Sequence, residues 1–426
     1  MNPIEKGWLK RYLEINKSKL LKGNQIDANA YSSEEEMIYA LLQPTGLLYG
    51  HPIKFPYLKY DDVKEWENKD KTKVLLADSL IGHGKQFFAK EMTNENDADE
   101  VLHMLAQQVS EFYFEIFPQL ATKSKKSLFG RKRKDLEITE TIIAKRVELK
   151  RNLDKNFWTS FFQNSLLFLD VYYFNQWVNP NHIITKEEIH ELHDDIRLRV
   201  LEIISAAAHA NQIVEVEERN LYNYFLHSSQ LPDAKEKEAA KYIDEGMKLS
   251  DIDLSQWKDS WLIKKYLLEL AILTVWSDQE MQEEEYGFID KLREKLGFSE
   301  EESEKSKIAV ESFVLQNYEQ VHYLQEKQNY KIVADRFNRS MKKVLKFYKN
   351  SIVQEMRESK ELVSLLNKSA KEQLSPEEKE KIRQQMLDIL KTLPIFALIA
   401  LPGRTLTLPI LFKVLPKNVL PTAFQK

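Results

Sequence analysis

The chain has 426 residues, with 62 Lys and Arg against 66 Asp and Glu, a formal net charge of −4 at pH 7. That near balance gives no global attraction to nucleic acid or anionic lipid, and the length accommodates two or three domains. Cysteine is absent, which excludes disulfides, thiolate metal sites and cysteine nucleophiles.

Punctuation is sparse, with 11 Gly and 13 Pro. Long uninterrupted helices are therefore expected, and no series of alternating apolar strands with Asn-Gly or Asp-Gly turns competes with them. The expected fold class is all-α, a multi-helix body followed by a hydrophobic C-terminal segment. Residues 1–17 alternate apolar and charged positions without the apolar core of a signal peptide, so the body is expected to stay in the cytosol.

In chain order, residues 1–120 read as an N-terminal helical domain. Glu34, Glu35 and Glu36 precede an apolar run at 37–42. Pro44, Pro52 and Pro56, with Gly46 and Gly50 between them, predict a loop carrying Tyr49, Phe55, Tyr57 and Tyr60. Ile81-Gly82-His83-Gly84-Lys85 contains Gly-x-Gly-Lys but lacks the spacing and the Ser or Thr of a phosphate loop, so a tight turn is expected. Residues 101–120 predict one apolar, aromatic helix.

Residues 121–136 form a basic linker, with Lys123, Lys125, Lys126 and then Arg131 to Lys134 on either side of Gly130. It reads either as a solvated connection or as a contact with lipid headgroups or RNA phosphates.

Residues 137–360 read as a second helical domain. Helix continues over 137–185, aromatic-rich from Phe157 to Trp177, with a break at Asn179-Pro180-Asn181. Thr185 has the character of an N-cap, with Glu187 and Glu188 in the first turn where the helix dipole favours acids. His190 and His193 share a helix face three residues apart, either as a metal-binding pair or on a solvated surface.

Two segments, about 196–232 and 263–299, match at an offset of 67 residues. Leu201, Glu202, Gln212, Glu217 and Glu218 recur as Leu268, Glu269, Gln279, Glu284 and Glu285. Each copy reads as an apolar helix, a polar break and an acidic-start helix. The pattern resembles the TerB-like helical fold. Asn211 and Asp278 stand where that family has Asp, Glu218 and Glu285 where it has an acidic partner, and Gln replaces its Gly in both copies. The acids are accounted for by the helix dipole, or by a divalent cation held by Asp278, Glu280, Glu284 and Glu285, with Asn211 and Glu218 as a poorer set.

Residues 361–426 begin with a charged amphipathic helix pair. Ser375-Pro376-Glu377-Glu378 is a helix start with a Ser cap and Pro at the first position. Ile382, Met386, Ile389 and Leu390 then fall on one face. From 393 onward there are four cations (Arg404, Lys413, Lys417, Lys426) and no acid, so residues 1–392 carry −8. Residues 393–415 form an apolar segment long enough to span a bilayer, interrupted by Pro394, Pro402, Gly403, Arg404, Pro409 and Lys413 and followed by Pro416 and Pro421.

Leu374-Ser375-Pro376-Glu377-Glu378, Leu393-Pro394, Leu401-Pro402, Leu408-Pro409, Pro416 and Leu420-Pro421 resemble the Letm-type membrane family in order and spacing. The short form resembles bacterial relatives associated with biofilms. The resemblance implies membrane attachment, and in the wider family cation homeostasis or ribosome binding. The family's ribosome-binding helical domain is expected to begin only where this chain stops, at Lys426. Gly403-Arg404-Thr405 occupies the place where that family usually carries an acid, which counts against ion exchange.

The expected function is a membrane-anchored helical interaction or scaffold protein, with its body on the cytoplasmic side of a bacterial inner membrane. Its partners would be membrane lipid, another protein, the ribosome or a second copy of the chain. The alternatives are a cation-transport factor and a soluble helical scaffold. No catalytic motif is found, so no enzyme is expected and no cofactor beyond the divalent cation.

Overall fold

A computed structural model describes the chain except for residues 23–30, 56–57, 59, 89–94, 122–134, 149–163, 180–183, 212–213, 215, 230, 276–282, 319–329, 370–371 and 393–426. Among the described residues the regular structure is wholly helical, as composition predicts. The chain divides into two compact units, Met1–Leu262 and Ile263–Lys426. The division falls inside the stretch read as one 137–360 domain.

Unit 1 is ordered as α1 (Trp8–Lys22), α2 (Glu34–Leu42), α3 (Tyr60–Val63), α4 (Asn68–Gly84), α5 (Glu95–Ile116), α6 (Pro118–Ala121), α7 (Asp135–Arg146) and α8 (Leu167–Val178). It continues with α9 (Lys186–Ala208), α10 (Val216–Ser228), α11 (Asp233–Ala239), α12 (Tyr242–Glu245) and the first residues of α13 (Trp261–Val275). Helix α4 lies at the centre, against α1, α5, α7 and α8. Val74, Leu75, Leu76, Ala77, Leu80 and Ile81 are all buried on it. Asp70, Lys73, Asp78 and His83 are buried on it as well, so the enclosed helix must satisfy its polar groups inside the protein. Its charges are paired inside: Lys73 Nζ donates to Asp70 Oδ1 at 2.8 Å and to the Pro3 carbonyl at 2.7 Å. Asp78 accepts from the Tyr12 hydroxyl, and burial pushes its carboxyl up to about 6.

Two local expectations are corrected in this core. Gly82 and Gly84 are not a turn; both lie in the last turn of α4. A Cβ at Gly84 would stand 2.9 Å from Leu105 Cδ2 and 3.3 Å from Phe174 Cε1. Close approach of α5 and α8 therefore accounts for Gly84. Likewise, 101–120 is not one helix, since α5 ends at Ile116 and α6 starts at Pro118. Proline lacks the N–H that would continue the ladder and disfavours helical backbone at Phe117.

The segment after α2 is a pair of tight 3-10 turns, 43–45 and 47–49, ending in Gly46 and Gly50. Leu47, Leu48, Tyr49 and Phe55 are buried here, so these members of the predicted loop belong to the core, while Tyr57 and the Tyr60 side chain lie outside the described residues. Gly46 has φ +82°, and a Cβ there would lie 2.0 Å from the His51 carbonyl oxygen. Gly46→Ala is expected to destabilise unit 1 by about 3 kcal/mol, from left-handed strain plus a backbone clash. Urea denaturation monitored by tryptophan fluorescence measures this directly, and a change below about 1 kcal/mol would refute it.

Unit 2 takes up α13 from Ile263 and adds α14 (Glu283–Lys295), α15 (Glu300–Gln316), α16 (Tyr330–Phe347), α17 (Lys349–Glu358), α18 (Lys360–Ser369) and α19 (Pro376–Thr392). Helix α15 packs along α16, and α17, α18 and α19 pack against one another. Helix boundaries repeat across the two units: α10 and α14 differ by 67 residues at both ends, and α11 and α15 start 67 apart, at Asp233 and Glu300. No helix among the described residues is long and apolar enough to cross a membrane. The segment read as membrane-seeking, 393–415, lies outside the described residues, as does the basic stretch 122–134.

Candidate functional site

The C-terminal helical module is built from α17, α18 and α19. Leu362 and Leu366 of α18 face Ile352 and Met356 of α17, all buried, and Ile382, Met386, Leu387, Ile389 and Leu390 of α19 complete the core. These α19 positions include the apolar face expected from spacing alone. Helix α19 starts as the sequence predicts: the Glu378 N–H donates to Ser375 Oγ at 3.2 Å, and the Ser375 N–H donates back to Glu378 Oε2 at 3.0 Å. Pro376 occupies the first helical position, where no N–H is needed. Lys368 of α18 reaches Glu378 at 2.7 Å and pulls its carboxyl below the ordinary range. Its outward residues Lys379, Glu380, Lys381, Gln384 and Asp388 are all exposed, so α19 presents a polar, mixed-charge face to solvent.

The tail residues singled out from sequence (Pro394, Pro402, Gly403, Arg404, Pro409, Lys413, Pro416 and Pro421) follow α19 and lie outside the described residues. Of the acidic-break residues, Asp278 and Glu280 also lie outside them, as does the Glu285 side chain. Glu284 is exposed, Asn211 is half-buried and Glu218 is buried. Among the described residues no group of three or more His, Asp or Glu is placed to hold a metal ion.

The two histidines separate. His190 is exposed, as the solvated-face reading expects, while His193 is buried, so that reading fails for His193 and the two do not share one accessible face as paired ligands. His193 enters a buried cluster that sequence reasoning missed. At its centre, Arg146 grips Asp170 with two bonds, Nε to Oδ2 at 2.6 Å and a terminal nitrogen to Oδ1 at 2.9 Å. The Tyr113 hydroxyl donates to the same carboxylate at 2.8 Å. Phe117 lies 4.8 Å from the Arg146 guanidinium, and Tyr173 packs 5.1 Å from the His193 ring. Burial works against the Arg146 charge, but the Asp170 carboxylate outweighs it and holds the guanidinium more firmly protonated than usual. Burial, reinforced by Arg197 and Arg146, drives His193 well below its ordinary range. Its 3.9 Å approach to Asp170 is therefore a contact of a neutral imidazole, not an ion pair. Arg197, desolvated and next to Arg146, falls to about 10. The available signal was Asp170 itself, a lone carboxylate in the apolar run Leu-Phe-Leu-Asp-Val-Tyr-Tyr-Phe. Its three hydrogen bonds, two from Arg146 and one from Tyr113, tie α5, α7 and α8 together and read as structural.

A second buried polar seam joins α15 to α16. Glu304 accepts from Lys307 and Lys343, each at 3.1 Å, and Ser340 donates to Glu311 at 2.9 Å. Burial, with Glu304 adding repulsion, pushes the Glu311 carboxyl up to about 8 against the opposing Ser340 bond.

Residues 374–426, from the start of α19 onward, match the family model described as LETM1-like, RBD. The match supports the Letm-type resemblance read from the same residues. No curated protein matches the chain, and no solved structure does. In the wider family this domain is the ribosome-binding domain. The expectation that it would begin only beyond Lys426 is thereby corrected, since the model covers α19 and the Pro-punctuated tail.

Proposed function

We propose that this protein is a helical interaction protein whose C-terminal region, 374–426, docks on the ribosome. The match of that region to a LETM1-like ribosome-binding domain carries the reading. The packing of α19 fits it: the apolar face is committed to α17 and α18, leaving a polar face for a partner. The tail adds Arg404, Lys413, Lys417 and Lys426 with no acid, a charge pattern suited to ribosomal RNA.

Sedimentation of the full chain with purified bacterial ribosomes tests this. The protein is expected in the ribosomal fractions at about 100 mM salt, and Arg404→Glu with Lys413→Glu is expected to release it. Wild-type protein remaining at the top of the gradient would sink the reading.

One observation favours a second, compatible role. The acid-free, apolar stretch 393–415 has the composition of a lipid-seeking segment, and flanking cations favour the cytoplasmic leaflet. It would hold the body on the inner face of a bacterial membrane, and flotation of the full chain with vesicles checks it. The 67-residue repeat is compatible with a TerB-like pair whose second break, around Asp278 and Glu280, would take a divalent cation.

A further inference from the structure

We infer that the exposed basic face of α16, continued by Lys349 into α17, binds the phosphate backbone of RNA. From Arg336 to Gln354 the chain carries six cations and no acid, within a protein whose net charge is −4. Arg339, Lys342 and Lys346 recur at spacings of three and four, which places them on one face of α16 over about 10 Å of its axis. All three are exposed, and so is Lys349 at the start of α17. None of the four has an ionic or hydrogen-bond partner among the described residues.

Neutralisation from the neighbouring helix is already spent. The acids of α15 that approach α16 are taken: Glu304 by Lys307 and Lys343, and Glu301 by Lys305 and the Tyr348 hydroxyl. Four cations without a partner among the described residues thus lie in a row on the exposed side of a helix whose opposite side is anchored. Phe337, Met341, Val344 and Leu345 are buried at 4% exposure or less.

That anchoring decides between phosphate polymers and a bilayer. A helix lying in a membrane interface needs an apolar face to insert, and the apolar face of α16 is already packed. Its free face offers point charges in a line, which suit successive backbone phosphates and release counterions on binding. Phe347, 46% exposed beside Lys346, adds one ring on which an unpaired base can stack. This deepens the ribosome-binding reading by naming RNA as the component touched, and it rests on that reading for where the RNA comes from. The face lies outside 374–426, so the two contacts are separable.

The test is fluorescence anisotropy of the full chain with a labelled 30-nucleotide RNA hairpin at several KCl concentrations. Alongside it run flotation with phosphatidylcholine–phosphatidylglycerol vesicles and sedimentation with ribosomes. The fourfold variant Arg339→Gln, Lys342→Gln, Lys346→Gln, Lys349→Gln alters only exposed side chains. It is expected to bind the hairpin at least tenfold more weakly at about 100 mM salt, with a salt slope shallower by roughly 3. Equal hairpin binding by variant and wild type overturns the inference. So does a wild type that floats with the vesicles, ignores the hairpin, and loses flotation in the variant. If wild type and variant sediment with ribosomes alike, with the same salt dependence, the face is not the ribosomal contact and the role of 374–426 stands. If hairpin binding is lost in the variant while neither protein sediments with ribosomes, the RNA face stands and the ribosome reading falls.

Discussion

Replacing Asp170 by alanine is expected to destabilise unit 1 by roughly 3–5 kcal/mol, the range for breaking a buried ion pair from one side. The carboxylate is fully enclosed and accepts three bonds, two from Arg146 and one from Tyr113. Its removal leaves a buried guanidinium with no anion and a buried hydroxyl with no acceptor. Arg197 and the neutral His193 stand nearby and cannot substitute, since one repels the guanidinium and the other carries no charge. Six of the seven tryptophans (Trp8, Trp66, Trp158, Trp177, Trp257 and Trp261) lie within residues 1–262. Urea melts followed by fluorescence therefore report mainly on this unit. A variant within 1 kcal/mol of wild type would show that water reaches the site or that the pair is dispensable. Replacing Asp170 and Arg146 together by apolar residues is expected to recover part of the loss, because no unpaired charge then remains.

Glu311→Gln is expected to remove a pH dependence from unit 2. The carboxyl titrates near 8 in the folded protein, chiefly through burial, against an unperturbed value of 4.5. The folded state therefore holds a proton that the unfolded chain has released. Its stabilisation is complete below about pH 4.5, declines as pH rises toward 8, and is gone above that. Each pH unit in this window is worth about 1.4 kcal/mol, so the loss is on the order of 3–5 kcal/mol. Asp78 in unit 1, raised to about 6 from 3.8, acts in the same sense over a narrower window. Denaturation followed by circular dichroism at pH 5, 7 and 9 separates the variants. Wild type and Glu311→Gln should be similar at pH 5, and the glutamine form clearly more stable at pH 9. A wild-type protein equally stable at all three values would contradict the burial argument.

Features governed by local chemistry were legible in the sequence. Thr185 closes a full capping box with Glu188, and Ser375 does the same with Glu378 around a first-position proline. Both depend on residues three apart, so spacing suffices to find them. The apolar stripe of α19 was equally plain, because 3.6-residue periodicity needs no knowledge of the partner. Failures occurred where a distant segment decides. Gly84 is set by Leu105 and Phe174, and a Gly-x-Gly pattern suggests a turn until those neighbours are known. His193 looked solvated because its helix face is charged on either side, yet Asp170 and Tyr173 come from α8 and Phe117 from the joint between α5 and α6. The α15–α16 seam likewise joins Glu311 to Ser340, 29 residues away. Its cationic outer face stands out once Glu301 and Glu304 of α15 are seen to be engaged by Lys305, Tyr348, Lys307 and Lys343.

The most direct measurement is site-specific photocrosslinking of the full chain to purified ribosomes. A photoreactive residue is placed at exposed Gln384 or Asp388 on α19, with exposed Glu245 in unit 1 as the comparison site. Crosslinks to ribosomal RNA or protein from the α19 positions, and none from position 245, are the predicted result. Equal yields from all three positions, or none from α19 while the protein sediments with ribosomes, would contradict docking through 374–426.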